Sequence, residues 1–490
     1  MNLVNFFPTS GANATYSMAQ DVSPIYIGSR LELFVDGYLI DKMKDAHLAL
    51  NRPTPREIAI IHDEPWEGNS CHYKTVFKDG ELYRMYYRGS HAIYTTEGYH
   101  SPHPEFTCYA ESQDGTHWIK PELGLVEFDG SKQNNIIWHG IGTHNFTPFK
   151  DANPDCKPDE KYKAFGSGEG GLYPFKSSDG VRWSLMSDKP VVTKGAFDSQ
   201  NLAFWDSVRG EYREYHRDFR NGRDIRTATS KDFFNWPEPV FLNYSPGRVS
   251  ELYTNQIIPY YRAPHIFLGF PTRYIDRGWT ESTNYLPQLE HRKIRASKSQ
   301  REGTAVTDGM FMVSRDGLNF NIWAESFIRP GLRLKDSWFY GDNYQNWGII
   351  ETKSSISDAP NELSIYVSEA SHQESGNQWR RYTLRIDGFV SAQAPLSGGE
   401  FVTKPLVFAG KKLVINFSTS AAGSIQVEIQ DADGKPFDGF TLADSPEIYG
   451  DALERAVTWK GGSDISNLAG KPIRLRFVIK DADLYSLRFR

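Results

Sequence analysis

The sequence predicts an all-β fold, a five-bladed β-propeller followed by a C-terminal β-sandwich. Three observations predict it: a composition rich in aromatic and turn-forming residues, a turn motif that recurs along the chain, and an alternating pattern in residues 391–490. Of the 490 residues, 14% are Phe, Trp or Tyr, and the chain has 41 Gly and 27 Pro. Aromatic residues favour strands, whereas Gly and Pro favour the turns between them.

Residues 1–30 are expected to form an N-terminal arm. The first 21 residues contain no Lys or Arg and no apolar run of signal-peptide length, so they do not identify a compartment. A periplasmic or extracellular location is favoured. The three cysteines, Cys71, Cys108 and Cys156, include no CxxC pair and predict neither a disulfide framework nor a structural zinc site.

A Ser-x-Asp-Gly-x-x-Trp motif divides residues 31–390 into repeats. Each copy follows a short β-like run, its Asp is suited to cap the amides of a tight turn, and its Gly permits a positive φ. Phe replaces Gly in the third copy, and Phe replaces Trp in the fourth. The copies are Ser112–Trp118, Ser177–Trp183, Ser230–Trp236 and Ser314–Phe320.

Short strands before each turn motif predict five blades over residues 31–390. The segment Leu31–Ile40 is expected to close the ring with blade five. Blade four contains an insertion at about 274–304, and the only helix we predict lies inside it, near 288–300. Residues 391–490 alternate apolar and polar side chains in runs such as KKLVINF and SIQVEIQ, which predicts a β-sandwich.

The charge balance argues against two classes of protein. The formal net charge is −6 and there is no block of Lys and Arg, whereas a nucleic-acid-binding surface is basic. No stretch approaches the roughly 20 apolar residues that span a bilayer. We therefore expect no nucleic-acid or membrane partner, and the sequence leaves the oligomeric state open.

Polar side chains stand at the predicted start of every inner strand, and these starts converge on the mouth of a propeller channel. Glycoside hydrolysis needs two carboxylates, and a third often stabilises the charged sugar. We predict Asp198, Glu251 and Asp342 as catalytic residues. The other members of the ring are predicted to bind substrate: His72, His144, Asn145, Asn201, Asn255 and Asn343. The alternative for each Asn is that it satisfies backbone groups at the channel mouth.

Three arginines are expected at the inner ends of second strands: Arg88, Arg217 and Arg273. Together they are suited to hold the carboxylate or sulfate of an acidic sugar. The alternative is that they pair with the carboxylates of the ring itself. His91, His100 and His103 lie close together in sequence, but their spacing is not typical of metal ligands, and we predict no metal site.

Residues 31–390 resemble the five-bladed glycoside hydrolases of families 32, 43 and 68, with turns similar to the Asp-boxes of sialidases. The segment Phe197–Asp206 resembles their Arg-Asp-Pro strand start and the V-F-W-D run after it, without the Arg and the Pro. The C-terminal part is similar to the β-sandwich of family 32. The resemblance implies acidic catalytic residues at inner-strand starts and no cofactor, and it leaves a structural Ca²⁺ ion in the channel open.

These observations favour an exo-acting glycoside hydrolase on a polysaccharide or oligosaccharide, with an acidic or sulfated substrate suggested by the arginines. Glu251 is the expected general acid, and Asp198 or Asp342 the base or nucleophile. A propeller that binds carbohydrate without cleaving it is the main alternative. A scaffold whose propeller face binds another protein is the third hypothesis, and it predicts no converging carboxylates.

Overall fold

The computed structural model describes residues 23–248, 250–374 and 376–490. The predicted arm over residues 1–30 therefore lies mostly outside the described residues. Strands dominate the described chain, and the all-β class predicted from the sequence is confirmed. Five sheets follow one another in a propeller-like arrangement, and one larger sheet joins the two ends of the described chain. No helix among the described residues is long and apolar enough to cross a membrane.

The first strands divide between two distant partners. They are β1 (Ile25–Gly28), β2 (Glu32–Leu33), β3 (Ile40–Lys44), β4 (His47–Leu50) and β5 (Thr54–Ile61). Strands β1 to β4 join the C-terminal sheet, and β5 joins the sheet of blade five.

Blade one consists of β6 (Thr75–Asp79), β7 (Leu82–Gly89), β10 (Phe106–Ser112) and β11 (Ile136–Trp138), with the hairpin β8 (Ile93–Thr95) and β9 (Gly98–His100) between its second and third strands. Blade two consists of β12 (Thr147–Lys150), β13 (Tyr162–Gly168), β14 (Gly171–Ser177) and β15 (Ser184–Leu185). Blade three consists of β16 (Leu202–Asp206), β17 (Glu211–Phe219), β18 (Arg223–Ser230) and β19 (Val240–Phe241).

Blade four departs from this plan because its sheet has seven strands. They are β20 (Asn243–Ser245), β21 (Glu251–Leu252), β22 (Ile258–Tyr260), β23 (Ala263–Gly269), β24 (Thr272–Asp276), β25 (Ala305–Ser314) and β26 (Asn319–Ile328). The insertion before β25 is helical, as α1 (Glu281–Asn284), α2 (Leu289–Lys298) and α3 (Gln300–Thr304). Helix α2 matches the helix predicted near 288–300.

Blade five closes the ring with a strand from the start of the chain. Its sheet holds β27 (Ile350–Thr352), β28 (Glu362–Glu369) and β29 (Gln378–Arg385), and β5 pairs with β29 as the outermost strand. The prediction that Leu31–Ile40 closes the ring is wrong, because β2 pairs with the last strand of the C-terminal sheet instead. Both segments are short and mix polar with apolar residues, so the local pattern does not tell which of them pairs with blade five.

The C-terminal sheet has six further strands: β30 (Val390–Ala394), β31 (Gly399–Thr403), β32 (Leu406–Phe408), β33 (Leu413–Asp431), β34 (Asp451–Ala456) and β35 (Ile473–Phe489). Each of β33 and β35 joins two of the predicted short strands into one long strand. The register between them shifts at Thr419/Ser424. Apolar residues from both halves, such as Phe417 and Val427, share one core. Single-turn 3₁₀ helices occur at Thr143–Asn145, Pro158–Glu160 and Ser466–Leu468.

The turn motifs connect neighbouring blades through one repeated contact. A tyrosine in the second strand of one blade donates a hydrogen bond to the carbonyl of the Gly in the next blade's turn, and that Gly has a positive φ. In the third turn Phe233 replaces the Gly, and the preceding blade carries Phe165 instead of a tyrosine. The two rings stack with centroids 4.7 Å apart. The three hydrogen-bonded pairs are Tyr86–Gly180, Tyr215–Gly317 and Tyr366–Gly115.

Buried glutamine side chains fill the centre of the ring. Gln200 donates to Thr75 Oγ1 at 3.1 Å, and Gln256 donates to Gln200 Oε1 at 2.7 Å and to the Gln345 carbonyl at 2.9 Å. These residues come from the inner ends of blades one, three, four and five, and each is at most 2% exposed. The channel is therefore occupied by protein below its mouth.

Candidate active site

A pocket of about 280 Å³ lies at the mouth of the ring, where the inner strands of all five blades begin. Larger grooves of about 680 and 580 Å³ lie on outer surfaces of the blades, away from this convergence. We take the mouth as the candidate site because side chains at the inner-strand starts of all five blades meet there, and they include charged groups. Its walls are Ser70, His72, Tyr73, Arg88, Ser90, Ala92, Tyr94, Tyr99, Glu105, His144, Asp198, Tyr253, Lys298, Arg301, Glu302, Tyr340, Gly341, Tyr344 and His372.

Four of the residues predicted from the sequence line this pocket: His72, Arg88, His144 and Asp198. Arg217 lies directly behind Asp198 and forms an ion pair with its carboxylate. His72 is 4% exposed, and neither of its ring nitrogens has a hydrogen-bond partner among the described residues. Burial, followed by the charge of Arg88, lowers the pKa of His72 well below its ordinary value, so this imidazole is neutral.

The four predicted asparagines are buried and are not part of the pocket wall. Their amides instead hold backbone carbonyls of the same or neighbouring blades, so the structure gives them the alternative role considered above. The bonds run from Asn145 to Phe197 and Ser199, from Asn201 to Phe197, from Asn255 to Gln200 and Tyr215, and from Asn343 to Thr307.

The other two predicted catalytic carboxylates do not join Asp198 in the pocket. Glu251 lies behind its wall, where Oε2 accepts hydrogen bonds from the backbone amide of Arg223 at 3.0 Å and from its guanidinium at 2.8 Å. Asp342 is 4% exposed and accepts from the amides of Phe339 and Ser371. Burial raises the pKa of Asp342 to about 7. Because its carboxylate oxygens accept hydrogen bonds from backbone amides, Asp342 serves as a cap for its own turn.

Arg273 also lies away from the pocket. It alternates along β24 with Thr272 and Tyr274, whose side chains are buried, so Arg273 points to the opposite face. There it forms a bidentate pair with Asp308 at 2.8 and 2.5 Å in an outer groove.

Glu105 is the main pocket residue that the sequence analysis missed. It lies just before β10, beside the end of β7. Its carboxylate accepts from His144 at 2.8 Å and from the Ser90 hydroxyl at 3.3 Å, and Arg88 lies 3.4 Å away. Burial by itself raises the pKa of Glu105, but Arg88 and then His144 outweigh it and lower the pKa to about 2. Glu105 is therefore ionised at neutral pH.

The insertion of blade four places charged groups over the pocket. Lys298 comes from the end of α2, and Arg301 and Glu302 come from α3. Glu302 is paired with Arg301 at 3.2 Å and with the buried Arg295 at 3.3 Å. The guanidinium of Arg301 lies over the ring of Tyr340 at 5.2 Å, and its NH1 has no hydrogen-bond partner among the described residues. The sequence places these residues in a helix but gives no sign that the helix covers the channel.

Tyrosine rings line much of the remaining pocket. Tyr73, Tyr253, Tyr340 and Tyr344 belong to the wall. The ring of Tyr253 lies 5.6 Å from that of Tyr340 and 5.4 Å from that of Tyr344. The spacing of inner-strand starts would have found Tyr73 and Tyr344, because each follows a predicted polar position directly.

The described part of the chain shows no group of three or more His, Cys, Asp or Glu side chains arranged to hold a metal ion. His91 and His103 have ring centroids 6.5 Å apart, and both ring nitrogens of His103 contact backbone carbonyls, those of Pro104 and Glu67. The three cysteines are free thiols.

No family model and no curated protein matches the chain. Similar solved structures include an N-acetylgalactosamine deacetylase from F. plautii in complex with blood group B trisaccharide, at 14% identity over 69% of this chain and 94% of that one, with a TM-score of 0.41. A thermostable family-43 glycoside hydrolase is 13% identical over 69% and 96%, with a TM-score of 0.41. A fructofuranosidase from Schwanniomyces occidentalis is 12% identical over 88% and 96%, with a TM-score of 0.38. These likenesses are too distant to carry an argument about function.

Proposed function

We propose that this protein is an exo-acting glycoside hydrolase that takes an acidic or sulfated glycan into the pocket at the propeller mouth. The observation that carries the proposal is the composition of that pocket. Two carboxylates, Glu105 and Asp198, from different blades share a small space with arginine, lysine and aromatic side chains. Paired carboxylates are the groups that glycosidic bond hydrolysis requires.

The shape of the pocket supports action at a chain end. The buried glutamines close the channel beneath it, and α2 and α3 contribute to its wall from the insertion. Its volume of about 280 Å³ lies just below the roughly 300–1,000 Å³ of pockets that hold drug-sized ligands. Such a space suits a terminal sugar better than an internal stretch of polymer.

Unmet donors support an anionic substrate. The side chain of Arg217 is 3% exposed, and its Nε and NH1 have no hydrogen-bond partner among the described residues. NH1 of Arg301 has none either. A buried donor without a partner is costly, so a carboxylate or sulfate on the substrate would be stabilised here.

The carboxylates differ in their surroundings. Glu105 is held ionised by Arg88 and His144, which suits a base, a nucleophile or a stabiliser of positive charge on the sugar. The side chain of Asp198 is 66% exposed and is available to an incoming substrate. We therefore propose Asp198 and Glu105 as the reacting pair, in place of the triad expected from the sequence.

The proposal is tested by incubating the wild-type protein and Glu105→Gln with neutral, uronate-bearing and sulfated oligosaccharides and identifying the products by mass spectrometry. We expect a monosaccharide product from an acidic glycan, and a rate for Glu105→Gln that is lower by about 100-fold or more. Glu97→Gln is the matched control, because Glu97 is exposed on the β8–β9 turn. Glycan binding without any cleavage would contradict the proposal and favour the carbohydrate-binding alternative.

A further inference from the structure

Two phenol groups in the wall of the pocket share a short hydrogen bond. The Tyr340 hydroxyl donates to the Tyr253 oxygen at 2.5 Å. The two residues are 8% and 7% exposed, and both line the pocket. They come from blades five and four and are 87 positions apart in the chain. The packing of blade four against blade five therefore brings them together.

Three arginines surround this phenol pair. The guanidinium carbons of Arg217 and Arg223 lie 4.8 and 5.2 Å from the centre of the Tyr253 ring. That of Arg301 lies 5.2 Å from the Tyr340 ring. Each arginine is paired with a carboxylate and keeps at least one guanidinium nitrogen without a hydrogen-bond partner among the described residues; the pairs are Arg217–Asp198, Arg223–Glu251 and Arg301–Glu302. Positive charge around a phenol favours its ionised form.

The ionisation of the pair follows from these contacts. Burial by itself raises the pKa of Tyr253, but Arg217, the Tyr340 hydroxyl and Arg301 outweigh it and hold the pKa below the ordinary tyrosine value. Burial and the neighbouring Tyr253 raise the pKa of Tyr340 well above that value. Of the two phenols, Tyr253 is therefore the one that loses its proton more readily.

A phenolate beside free guanidinium donors is not needed for hydrolysis by Glu105 and Asp198. It is suited to removing a proton from carbon next to a carboxylate, because the arginines stabilise the charge that develops on that carboxylate. We infer that the pocket cleaves 4-linked uronosides by β-elimination, with Tyr253 as the base and Tyr340 as the acid. This inference rests on the proposed pocket for an acidic glycan but not on hydrolysis.

The step balances without water, oxidant or cofactor. With the uronate carboxylate held by Arg301, the Tyr253 oxygen takes the proton from C5. The electron pair of that C–H bond forms the C4=C5 double bond as the C4–O bond breaks. The leaving oxygen takes the hydroxyl proton of Tyr340. The proton on Tyr253 then returns to Tyr340 along their hydrogen bond, and the pair is ready for another cycle.

The test uses the full-length protein with oligomers of 4-linked galacturonate, mannuronate, guluronate and glucuronate in oxygen-18 water. Ultraviolet absorbance detects the conjugated 4,5-unsaturated uronate, and mass spectrometry detects oxygen-18 in the new reducing end. We expect the unsaturated product without the heavy isotope from at least one oligomer. We also expect a slower wild-type reaction when that substrate carries deuterium at C5, a readout that requires no variant to fold.

Variants distinguish the catalytic role of the two phenol hydroxyls from general effects of substitution on folding. Tyr253→Phe should lower the elimination rate by about 100-fold or more, and Tyr340→Phe should lower it as well. Tyr173→Phe is the matched control, because it removes a hydroxyl that donates to the Glu169 carbonyl outside the pocket. Thermal melting checks that each variant is folded.

The outcomes also separate this inference from the proposed function. A saturated product that contains oxygen-18 overturns the elimination and supports hydrolysis. No product from any of the four oligomers overturns the elimination, and failure of the full glycan panel as well overturns both proposals. If Tyr253→Phe forms the unsaturated product at the wild-type rate, Tyr253 is excluded as the base.

Discussion

Asp198 and Glu251 both precede inner strands, yet they meet different surroundings. Asp198 opens onto the pocket beside Arg217, and its side chain is 66% exposed. Glu251 does not line the pocket and accepts hydrogen bonds from Arg223. The side chain of Arg223 separates it from the ring of Tyr253. A carboxylate in such a pair stabilises the structure beside the pocket, and Glu251 is not part of the pocket wall.

The two carboxylates should therefore respond differently to loss of charge. We expect Asp198→Asn to lower kcat/KM for the acidic glycan by about 100-fold. We expect Glu251→Gln to stay within a few-fold of wild type, because its neutral amide oxygen still accepts from Arg223. Steady-state kinetics of both variants, with circular dichroism to check folding, make the comparison. A larger loss from Glu251→Gln would restore it as a catalytic candidate.

The sequence predicted part of the site because inner-strand starts converge in any propeller. This rule placed His72, His144 and Asp198 in the pocket wall. It did not predict Glu105, because Glu105 precedes the third strand of blade one and not its inner strand. The start of that third strand reaches the pocket only because it pairs with the end of the second strand in the folded blade. Arg301 was missed because the packing of an inserted helix depends on contacts that are distant in sequence.

At the scale of single elements, the turn between the outer strands of blades one to four is matched to the preceding blade. Where the second strand carries a tyrosine, the turn carries Gly, and a Cβ on Gly180 would lie 2.9 Å from the Tyr86 hydroxyl. Where the strand carries Phe165, the turn accommodates Phe233 at a φ of +69°. A hydrogen bond in three junctions is replaced by stacked rings in the fourth.

This matching predicts a coupled pair of substitutions. Phe233→Gly should destabilise the protein by about 3–5 kcal/mol, because it removes a fully buried ring. Phe165→Tyr alone should cost about 1–3 kcal/mol, because its hydroxyl meets a ring and no acceptor. Together they recreate the junction of the other blades, so we expect their combined cost to be lower than the sum. Denaturant unfolding of the four proteins measures the coupling, and strictly additive costs would contradict the matching.

The strands and turns themselves were largely predictable because their signals are local. The turn motifs located the third strands, and α2 appeared where it was predicted. Ring closure was not predictable in the same way. Strand β5 pairs with β29, which comes much later in the chain. Within this pairing Arg380 donates a hydrogen bond to the backbone carbonyl of Arg56, 324 positions away. No local pattern distinguishes β5 from β2 as the closing strand.

At the scale of the whole molecule, a buried ion cluster joins blade four to the N-terminal segment. Arg315 lies 2.8 Å from Glu32 and 3.0 Å from Asp36, and Glu32 is fully buried. Burial by itself raises the pKa of Glu32, but His265 and Arg315 outweigh it and lower the pKa to about 2. The ionised Glu32 therefore stabilises the attachment of the propeller to the C-terminal sheet.

Arg315→Leu should destabilise the protein by about 3 kcal/mol, because it leaves buried carboxylates with fewer partners. The pKa of Glu32 is lowered on folding, so its contribution is complete above the ordinary value of 4.5 and is lost as the pH falls toward 2. As the pH falls from 4.5 toward 2, the melting temperature of the variant should therefore decrease less than that of the wild type. Melting temperatures across this range check it, and Arg182→Leu, which removes an exposed arginine of the second turn motif, is the control.

The pairing of β1–β4 with the C-terminal sheet has a consequence for biosynthesis. Asn51 contacts Ser391, 340 positions later, so the earliest strands leave the ribosome long before their partners exist. Until the C-terminal sheet has been synthesised, these strands expose unpaired edges, and such edges are prone to aggregation. The first strands can therefore find their partners only after residues 390–489 have been synthesised.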